Sequence, residues 1–312
     1  MRLPPFGFAR AFAVVAVAGF IVSTPAGLAR AQVPQAPATH PVITFAPDVV
    51  GFLGHARIKG RLRDGRPGEE VTLERRLPHA EWRRVATATT DTEGEVRFRV
   101  GSLRRTSGYR LVWTDEATGA PTYSDATRIR VRPRLTLRAS RTRVLEGGTV
   151  LFYGVLRPAT AGRDVILQHR ASGEWRTFAR VGASDGDFVA RFEPRRTGRR
   201  RFRVLFRGDE FNTAGTRGRR AIVYRRTEAT WYGPGFYGNT TACGRRYGYD
   251  MLGVAHRSLP CGTEVALFHG GRFITVRVVD RGPYTSADFD LTRETAERLG
   301  FSGRGTIGVL VQ

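Results

Sequence analysis

The chain has 312 residues, 41% apolar and 25% charged, a globular balance with room for about two or three domains and none of the repeated apolar spans of a polytopic membrane protein. Two cysteines exclude a small disulfide scaffold and a four-thiolate zinc site. The charge is the outlier: 51 basic against 28 acidic residues, a formal +23, with Lys59 the single lysine. An arginine bias of this kind also follows from genomic base composition, so the total is not a nucleic-acid signal and no nucleic-acid partner is expected. Its distribution is more informative. Residues 229–312 hold nine Arg and seven Asp or Glu, net +2, which leaves +21 upstream. The positive field and the chemistry are expected in different parts of the chain.

At the N-terminus, Arg2 and Arg10 bracket a charged segment, and residues 11–22 (AFAVVAVAGFIV) form an apolar run of twelve, short for a membrane span. Ala29-Arg30-Ala31 follows with the small-x-small pattern of a cleavage site. Residues 1–31 therefore read as a secretory signal peptide, the alternative being an uncleaved anchor. No cysteine lies near the site, so lipid attachment there is not expected, nor is stable membrane insertion after cleavage. Residues 32–41 (QVPQAPATHP) read as an extended linker.

Residues 42–226 carry an internal repeat. Gly60-Arg61-Leu62-Arg63 matches Gly154-Val155-Leu156-Arg157, and Gly68, Val71 and Leu73 match Gly162, Val165 and Leu167, all offset by 94; Trp82-Arg83 matches Trp175-Arg176 at 93. Val96, Phe98 and Val100 alternate with charged residues, and Phe202, Val204 and Phe206 repeat the spacing. This is the pattern of half-buried antiparallel strands. Units of about 90 residues with many short strands suit two immunoglobulin-like β-sandwiches, over 42–132 and 133–226. His55, His79 and His169 stand alone, and neither unit shows a catalytic constellation. Residues 134–226 hold 22 Arg against eight acids, most densely in RRTGRRRFR over 195–203. That run is either a solvated strand face and turn or an electrostatic attachment to wall polymers or anionic lipid.

From Ala229 the texture changes. ATWYGPGFYG opens a segment that continues through Thr240-Thr241-Ala242-Cys243, then VAHRSLPCGT over 254–263, VVDRGPY over 278–284 and DFDLT over 288–292. A helix is expected over 293–299, with Thr292 at its start and Gly300 past its end. The glycine–aromatic opening, the AH-x-x-LP-x-GT block, the V-x-DRGP-Y block and the D-L-T before a helix closely resemble the double-psi β-barrel domain of the rare lipoprotein A (RlpA) family, and more distantly expansins and barwin-like proteins. The resemblance covers little more than a quarter of the chain. It implies a six-stranded barrel over 227–312, a peptidoglycan substrate and, in some members, lytic transglycosylase activity. Many relatives are lipid-anchored and carry a further glycan-binding domain, so wall attachment here is expected from the arginine-rich sandwiches.

The residues also speak for themselves. Glycan cleavage needs a carboxyl group that protonates the leaving oxygen. Asp280 ends an apolar strand over 273–279 and precedes a Gly-Pro turn, a place from which a side chain reaches a groove; the alternative is a turn-capping aspartate beside Arg281. A lytic transglycosylase needs one such group, which protonates the bridging oxygen and then takes the proton of the sugar's C6 hydroxyl. His256, 24 residues earlier, either tunes that carboxyl, contacts glycan, or is structural. Asp290 is either part of the helix start or a second functional carboxylate. Of the aromatics Trp231, Tyr232, Phe236, Tyr237 and Tyr284, Tyr232 and Tyr284 are expected nearest the groove, with hydroxyl contacts from Thr240 and Thr241. Cys243 and Cys261, alone in a secreted protein, are expected to form a disulfide; the rival is a zinc site with His256 and His269, whose spacing matches no common zinc pattern.

The expectation is thus an all-β protein: two sandwich repeats, then a six-stranded double-psi barrel with one short helix. It is expected to be secreted and wall-associated, to cleave peptidoglycan glycan strands with 1,6-anhydro products, and to need no metal or cofactor. The rivals are a non-enzymatic, expansin-like wall-loosening or glycan-binding module, and a structural wall protein or adhesin.

Overall fold

The computed structural model describes residues 39–183 and 185–312. The signal peptide expected over 1–31 and all of the linker before Thr39 lie outside the described residues; the linker's last two, His40 and Pro41, belong to the first strand. Among the described residues the fold is all-β with one helix, and no helix is long and apolar enough to cross a membrane.

The first repeat contains β1 (His40–Phe45), β2 (Val49–Gly51), β3 (Gly54–Arg63), β4 (Glu70–Arg76), β5 (Arg83–Thr89), β6 (Glu95–Leu103), β7 (Ser107–Thr114), β8 (Pro121–Tyr123) and β9 (Thr127–Arg132). Period-two patterning drives them: along β3, Ala56, Ile58 and Leu62 are buried while the charged residues between them are exposed. One sheet runs β1-β3-β6 and the other β2-β9-β7-β4-β5, with β8 on β7. Ile58, Leu73, Tyr109 and Leu111 fill the space between them.

The second repeat contains β10 (Arg134–Leu135), β11 (Arg138–Ala139), β12 (Arg143–Leu145), β13 (Val150–Arg157), β14 (Asp164–Ala171), β15 (Glu174–Gly182), β16 (Asp187–Phe192), β17 (Gly198–Phe206) and the first half of β18 (Gly215–Tyr232). Its core is built around Phe152, Leu156, Phe202 and Val204. The pairing scheme recurs in detail. β2 lies parallel to β9 as β12 does to β18. Gly60 and Gly154, 94 apart, both sit where a Cβ would overlap a neighbour, Leu111 Cδ1 in one and the Thr136 carbonyl in the other. Arg110 lies 4.5 Å over Trp82 and Arg203 lies 4.2 Å over Trp175, so the repeated tryptophan keeps its cation–π partner.

The C-terminal region adds β19 (Val254–His256), β20 (Glu264–His269), β21 (Arg272–Asp280), β22 (Phe289–Thr292), α1 (Arg293–Leu299) and β23 (Gly305–Val311). The pairings β18–β22, β22–β19, β19–β21, β21–β20, β20–β23 and β23–β18 return to their starting strand. Val254, Leu267, Val278, Phe289, Leu291 and Ile307 are buried together inside. Helix α1 packs Ala296 and Leu299 on this core. Gly300 ends it in the left-handed region at φ 66°, and the Phe301 amide donates to the Ala296 carbonyl. Thr292 occupies the N-cap position in extended backbone, but its hydroxyl makes no capping bond and instead bonds the Gly253 carbonyl and the Thr295 hydroxyl.

The boundary expected between residues 226 and 227 falls inside β18. The first half of this strand pairs with β17, and the second half with β23 and β22. The junction is packed as well as hydrogen-bonded. Tyr224 stacks on Phe268 at 5.2 Å, Arg143 lies over Phe273, and the Arg226 amide donates to Glu146 at 3.0 Å. The two repeats are pinned similarly. Asn212 Nδ2 donates to the Arg104 and Val131 carbonyls, and its Oδ1 accepts from the buried Arg163.

Candidate functional site

Strand register builds the site. Thr230 on β18 pairs with Asp290 on β22, Asp290 with Ala255 on β19, and Ala255 with Asp280 on β21. Paired residues share a face of a sheet, so these four side chains form one row across four strands. Alternation puts Phe289 and Leu291 inside, leaving Asp290 on the outer face. The strands carrying the two aspartates are separated by β19 alone, about 10 Å between backbones. Ala255, itself 2% exposed, puts only a methyl group between the two carboxyls.

A β-bulge aims Asp280 into this row. The register slips between Val254 and Ala255, so that Val254 faces Val278 and Ala255 faces Asp280. Val279 is the extra residue. Val278 is buried in the main core and Val279 against Tyr247 and Met251. Without the extra residue, alternation would send Asp280 to the other face. Gly253 makes room, because a Cβ there would overlap the Val279 methyls.

The two carboxyls have different surroundings. Asp280 Oδ1 accepts from the Ala242 and Arg281 amides, both at 2.8 Å, so it is oriented by the backbone. Asp290 Oδ1 is buried with no hydrogen-bond partner among the described residues. Burial pushes the Asp290 carboxyl up from its ordinary value and the Asp280 charge adds to this, while the Thr230 hydroxyl opposes it. Tyr232, two residues beyond Thr230 and on its face, is shifted upward by burial and by Asp280, Tyr247 and Asp290. Its hydroxyl is buried without a hydrogen-bond partner among the described residues, and the upward shift keeps it protonated.

An aromatic stack runs outward from Tyr232. Tyr232 and Tyr247 lie 4.9 Å apart, Tyr247 and Tyr237 5.2 Å, and Tyr237 and Tyr249 4.0 Å. The Tyr247 hydroxyl donates to the Tyr232 carbonyl at 2.8 Å, which locks the stack to β18. The outer end is open: Tyr249 is 69% exposed and Phe236, edge-on to Tyr232, is 54% exposed.

His256 does not join the row. It follows Ala255 on β19, so its side chain leaves by the opposite face. The ring packs on Phe289 at 4.6 Å, and Nδ1 accepts from the Ser258 and Leu259 amides at 3.1 and 3.0 Å. Burial and then Arg257 lower its pKa, against Asp288. It shapes a turn through those two amides, and the lowered pKa disfavours a charged ring. Of the three residues expected to converge, the structure brings Asp280 and Asp290 into one row and leaves His256 outside it.

Thr241 is buried, and its hydroxyl accepts from the Arg245 amide, so it staples a turn instead of facing glycan. Thr240 is exposed in the same turn. Tyr284 is 87% exposed on the 281–287 loop. That loop is gathered by Arg257 Nη1, which donates to the Pro283, Thr285 and Ala287 carbonyls at 2.9 Å each. Cys243 and Cys261 are disulfide-bonded with Cα atoms 5.7 Å apart, so their sulfurs are committed to each other and the rival zinc set with His256 and His269 does not form. The bond anchors the turn whose Ala242 amide holds Asp280. Among the described residues no group of three or more His, Cys, Asp or Glu is arranged to hold a metal ion.

Sequence reasoning missed Thr230, Ala255, Tyr247 and Tyr249. Thr230 had a usable signal, since it lies two residues before Tyr232 on the same strand face. The others depend on pairings that only the fold creates.

Residues 225–311 match the family model described as lytic transglycolase. Over 87 residues, 27% of this chain, the segment is 44% identical to the probable endolytic peptidoglycan transglycosylase RlpA of Aquifex aeolicus and 38% identical to the endolytic peptidoglycan transglycosylase RlpA of Campylobacter jejuni. It is 42% identical over 80 residues to the probable enzyme of Synechocystis. The matches span 38%, 32% and 25% of those proteins' own lengths. Among solved structures, a tetra-tandem repeat in the extending region of a large adhesion protein aligns over 88% of this chain and 74% of its own, with 13% identity and a TM-score of 0.35, too low to carry an argument.

Proposed function

We propose that the C-terminal unit, RlpA-like over residues 225–311, is a peptidoglycan lytic transglycosylase folded as a double-psi β-barrel. On this reading it is presented at the cell wall, after secretion, by two immunoglobulin-like sandwiches. The observation that carries the chemistry is the placement in one cross-strand row of Asp290, whose carboxyl burial pushes up from its ordinary value, and a backbone-oriented Asp280.

The sequence pointed to Asp280 as the acid; burial favours Asp290 instead. A general acid must hold its proton near neutral pH, and desolvation beside a second carboxylate supplies that bias. Asp290 donates its proton to the glycosidic oxygen as the C1–O bond breaks. Positive charge develops on the sugar ring, and the Asp280 carboxylate lies where it stabilises that charge. The C6 oxygen then bonds to C1, and its proton passes to the Asp290 carboxylate. The 1,6-anhydro ring closes without water, and Asp290 regains its starting state. The outer tyrosines offer ring faces to neighbouring sugars.

The test is incubation of the full chain with glycan strands, followed by mass spectrometry for 1,6-anhydro ends. The wild type generates them and Asp290→Asn does not. Equal product from Asp290→Asn removes the proposed acid. Binding without any anhydro product favours the glycan-binding reading, which the exposed Tyr249 and Phe236 would also serve.

A further inference from the structure

The second repeat holds a concentration of positive charge that the candidate site leaves unused. Residues 195–203 contain six arginines and no acid. Arg195 and Arg196 occupy the turn after β16, and the others lie on β17. Between this turn and the β14–β15 turn is a cavity of about 390 Å³ lined by His169, Arg176, Arg195, Arg196 and Arg200, with Glu193 at its edge. Glu193 is committed to Arg191 at 2.7 Å. Among the described residues none of the four lining arginines is in an ion pair, and Arg200 is held by donating to the Arg196 carbonyl at 3.3 and 3.0 Å. His169 forms the floor, its ring 5.0 Å from Phe192. Burial lowers its pKa, and Arg200 and Arg176 lower it further, as expected where positive charge is already crowded.

A second cavity of about 700 Å³ lies on the far side of β17, lined by Trp175, Arg201, Arg219 and Arg220 among others. Arg201 stands directly across from Arg220 in the β17–β18 register. Like charges so placed destabilise the empty sheet, and an anion between them reverses the sign. Arg200 and Arg201 are adjacent on β17 and line different cavities. Two arginine-lined cavities on neighbouring parts of one strand fit a linear polymer with repeated anions better than a single ion. Guanidinium forks match the paired oxygens of a phosphodiester. A by-product of arginine usage would scatter among acids; this cluster contains none.

We propose that the end of the second sandwich formed by the β16–β17 turn, β17 and the facing part of β18 is a docking site for a linear phosphodiester polymer of the cell wall. It rests on the reading that the protein works at the wall, but not on catalysis. The probe is an oligo(glycerol phosphate) of defined length, titrated calorimetrically into the full chain at several salt concentrations. Arg195→Gln/Arg196→Gln/Arg200→Gln should weaken binding about tenfold or more and reduce the slope of log affinity against log salt by about 2. A control with the same charge change on the first repeat, Arg128→Gln/Arg130→Gln/Arg132→Gln, should change affinity by less than about twofold, and so should Asp290→Asn. Arg176→Gln alone should weaken binding measurably, which guards against misfolding of the triple variant; unchanged far-UV spectra complete that check. Equal losses from the two triple variants, or equal binding of a polyglutamate of matched charge, would overturn the proposal in favour of unspecific charge.

Discussion

Removing the disulfide should damage stability and chemistry by separable amounts. Cys243 and Cys261 are 18 residues apart, and the chain-entropy model assigns a loop of that size about 3 kcal/mol. Cys243→Ser/Cys261→Ser should therefore lower the free energy of the C-terminal unit's urea transition by about that amount. The chemical effect runs through a neighbour. The Ala242 amide, adjacent to Cys243, donates to Asp280 Oδ1 at 2.8 Å. A hydrogen bond to a charged group is worth about 1.5–3 kcal/mol, which converts to a loss of roughly tenfold to a hundredfold in turnover if the released turn no longer presents the amide. The assay is the rate of anhydro-end formation at a temperature where circular dichroism shows both proteins folded. A dithiol-treated wild type should match the double variant. An unchanged rate in fully folded, disulfide-free protein would refute the idea that the bond positions Asp280. An unchanged urea midpoint would refute the entropic estimate.

Further outcomes follow from the same geometry. Because burial raises the Asp290 pKa in the folded state, ionising it costs stability as pH rises from its unfolded value through the raised one. Asp290→Asn should therefore be more stable than wild type at neutral pH while losing activity, and a thermal melt showing the reverse order at neutral pH would contradict the burial argument. The wild-type rate should fall on the alkaline side as Asp290 loses its proton. Gly253→Ala forces a methyl into Val279 and should cost about 1–3 kcal/mol through overpacking, with activity falling as the bulge shifts; urea unfolding measures the first and product analysis the second. His256→Ala removes an acceptor for two turn amides and should cost about 1 kcal/mol without moving either limb of the pH–rate profile. A moved limb would return His256 to the chemistry.

The sequence disclosed what is local. Alternation in β6 and β17, the helix over 293–299 and its terminal glycine are consequences of neighbouring residues, and each block of the C-terminal unit is contiguous in the chain. The row from Thr230 to Asp280 is not. It depends on four strands meeting in one register, and one inserted valine decides which way Asp280 faces. His256 lies outside the row for the same reason: adjacency in sequence to Ala255 means opposite faces in a strand. Asp290 looked ambiguous because its position before a helix and its position in the row are both real, and only burial separates them. At the end of the second repeat no turn interrupts β18; the junction shows only as a slip in its alternation, where Val223 and Tyr224 are successively buried and Arg225 and Arg226 successively exposed.

That shared strand has a mechanical consequence. From Arg220, in the basic cluster, to Thr230, in the carboxylate row, is ten residues of one β-strand, about 33 Å at strand rise. A catalytic module on a flexible tether searches a volume, and its local concentration falls off with tether length. Here there is no tether to search with. If the sandwich is held on a polymer as proposed, the carboxylates stand at one fixed stride from the point of attachment, and load on a bound glycan would pass along the hydrogen-bonded ladder to the anchor. Reach is set by the count of residues in β18, so inserting a pair of residues between Arg220 and Thr230 would lengthen the stride, and not the freedom, of the protein.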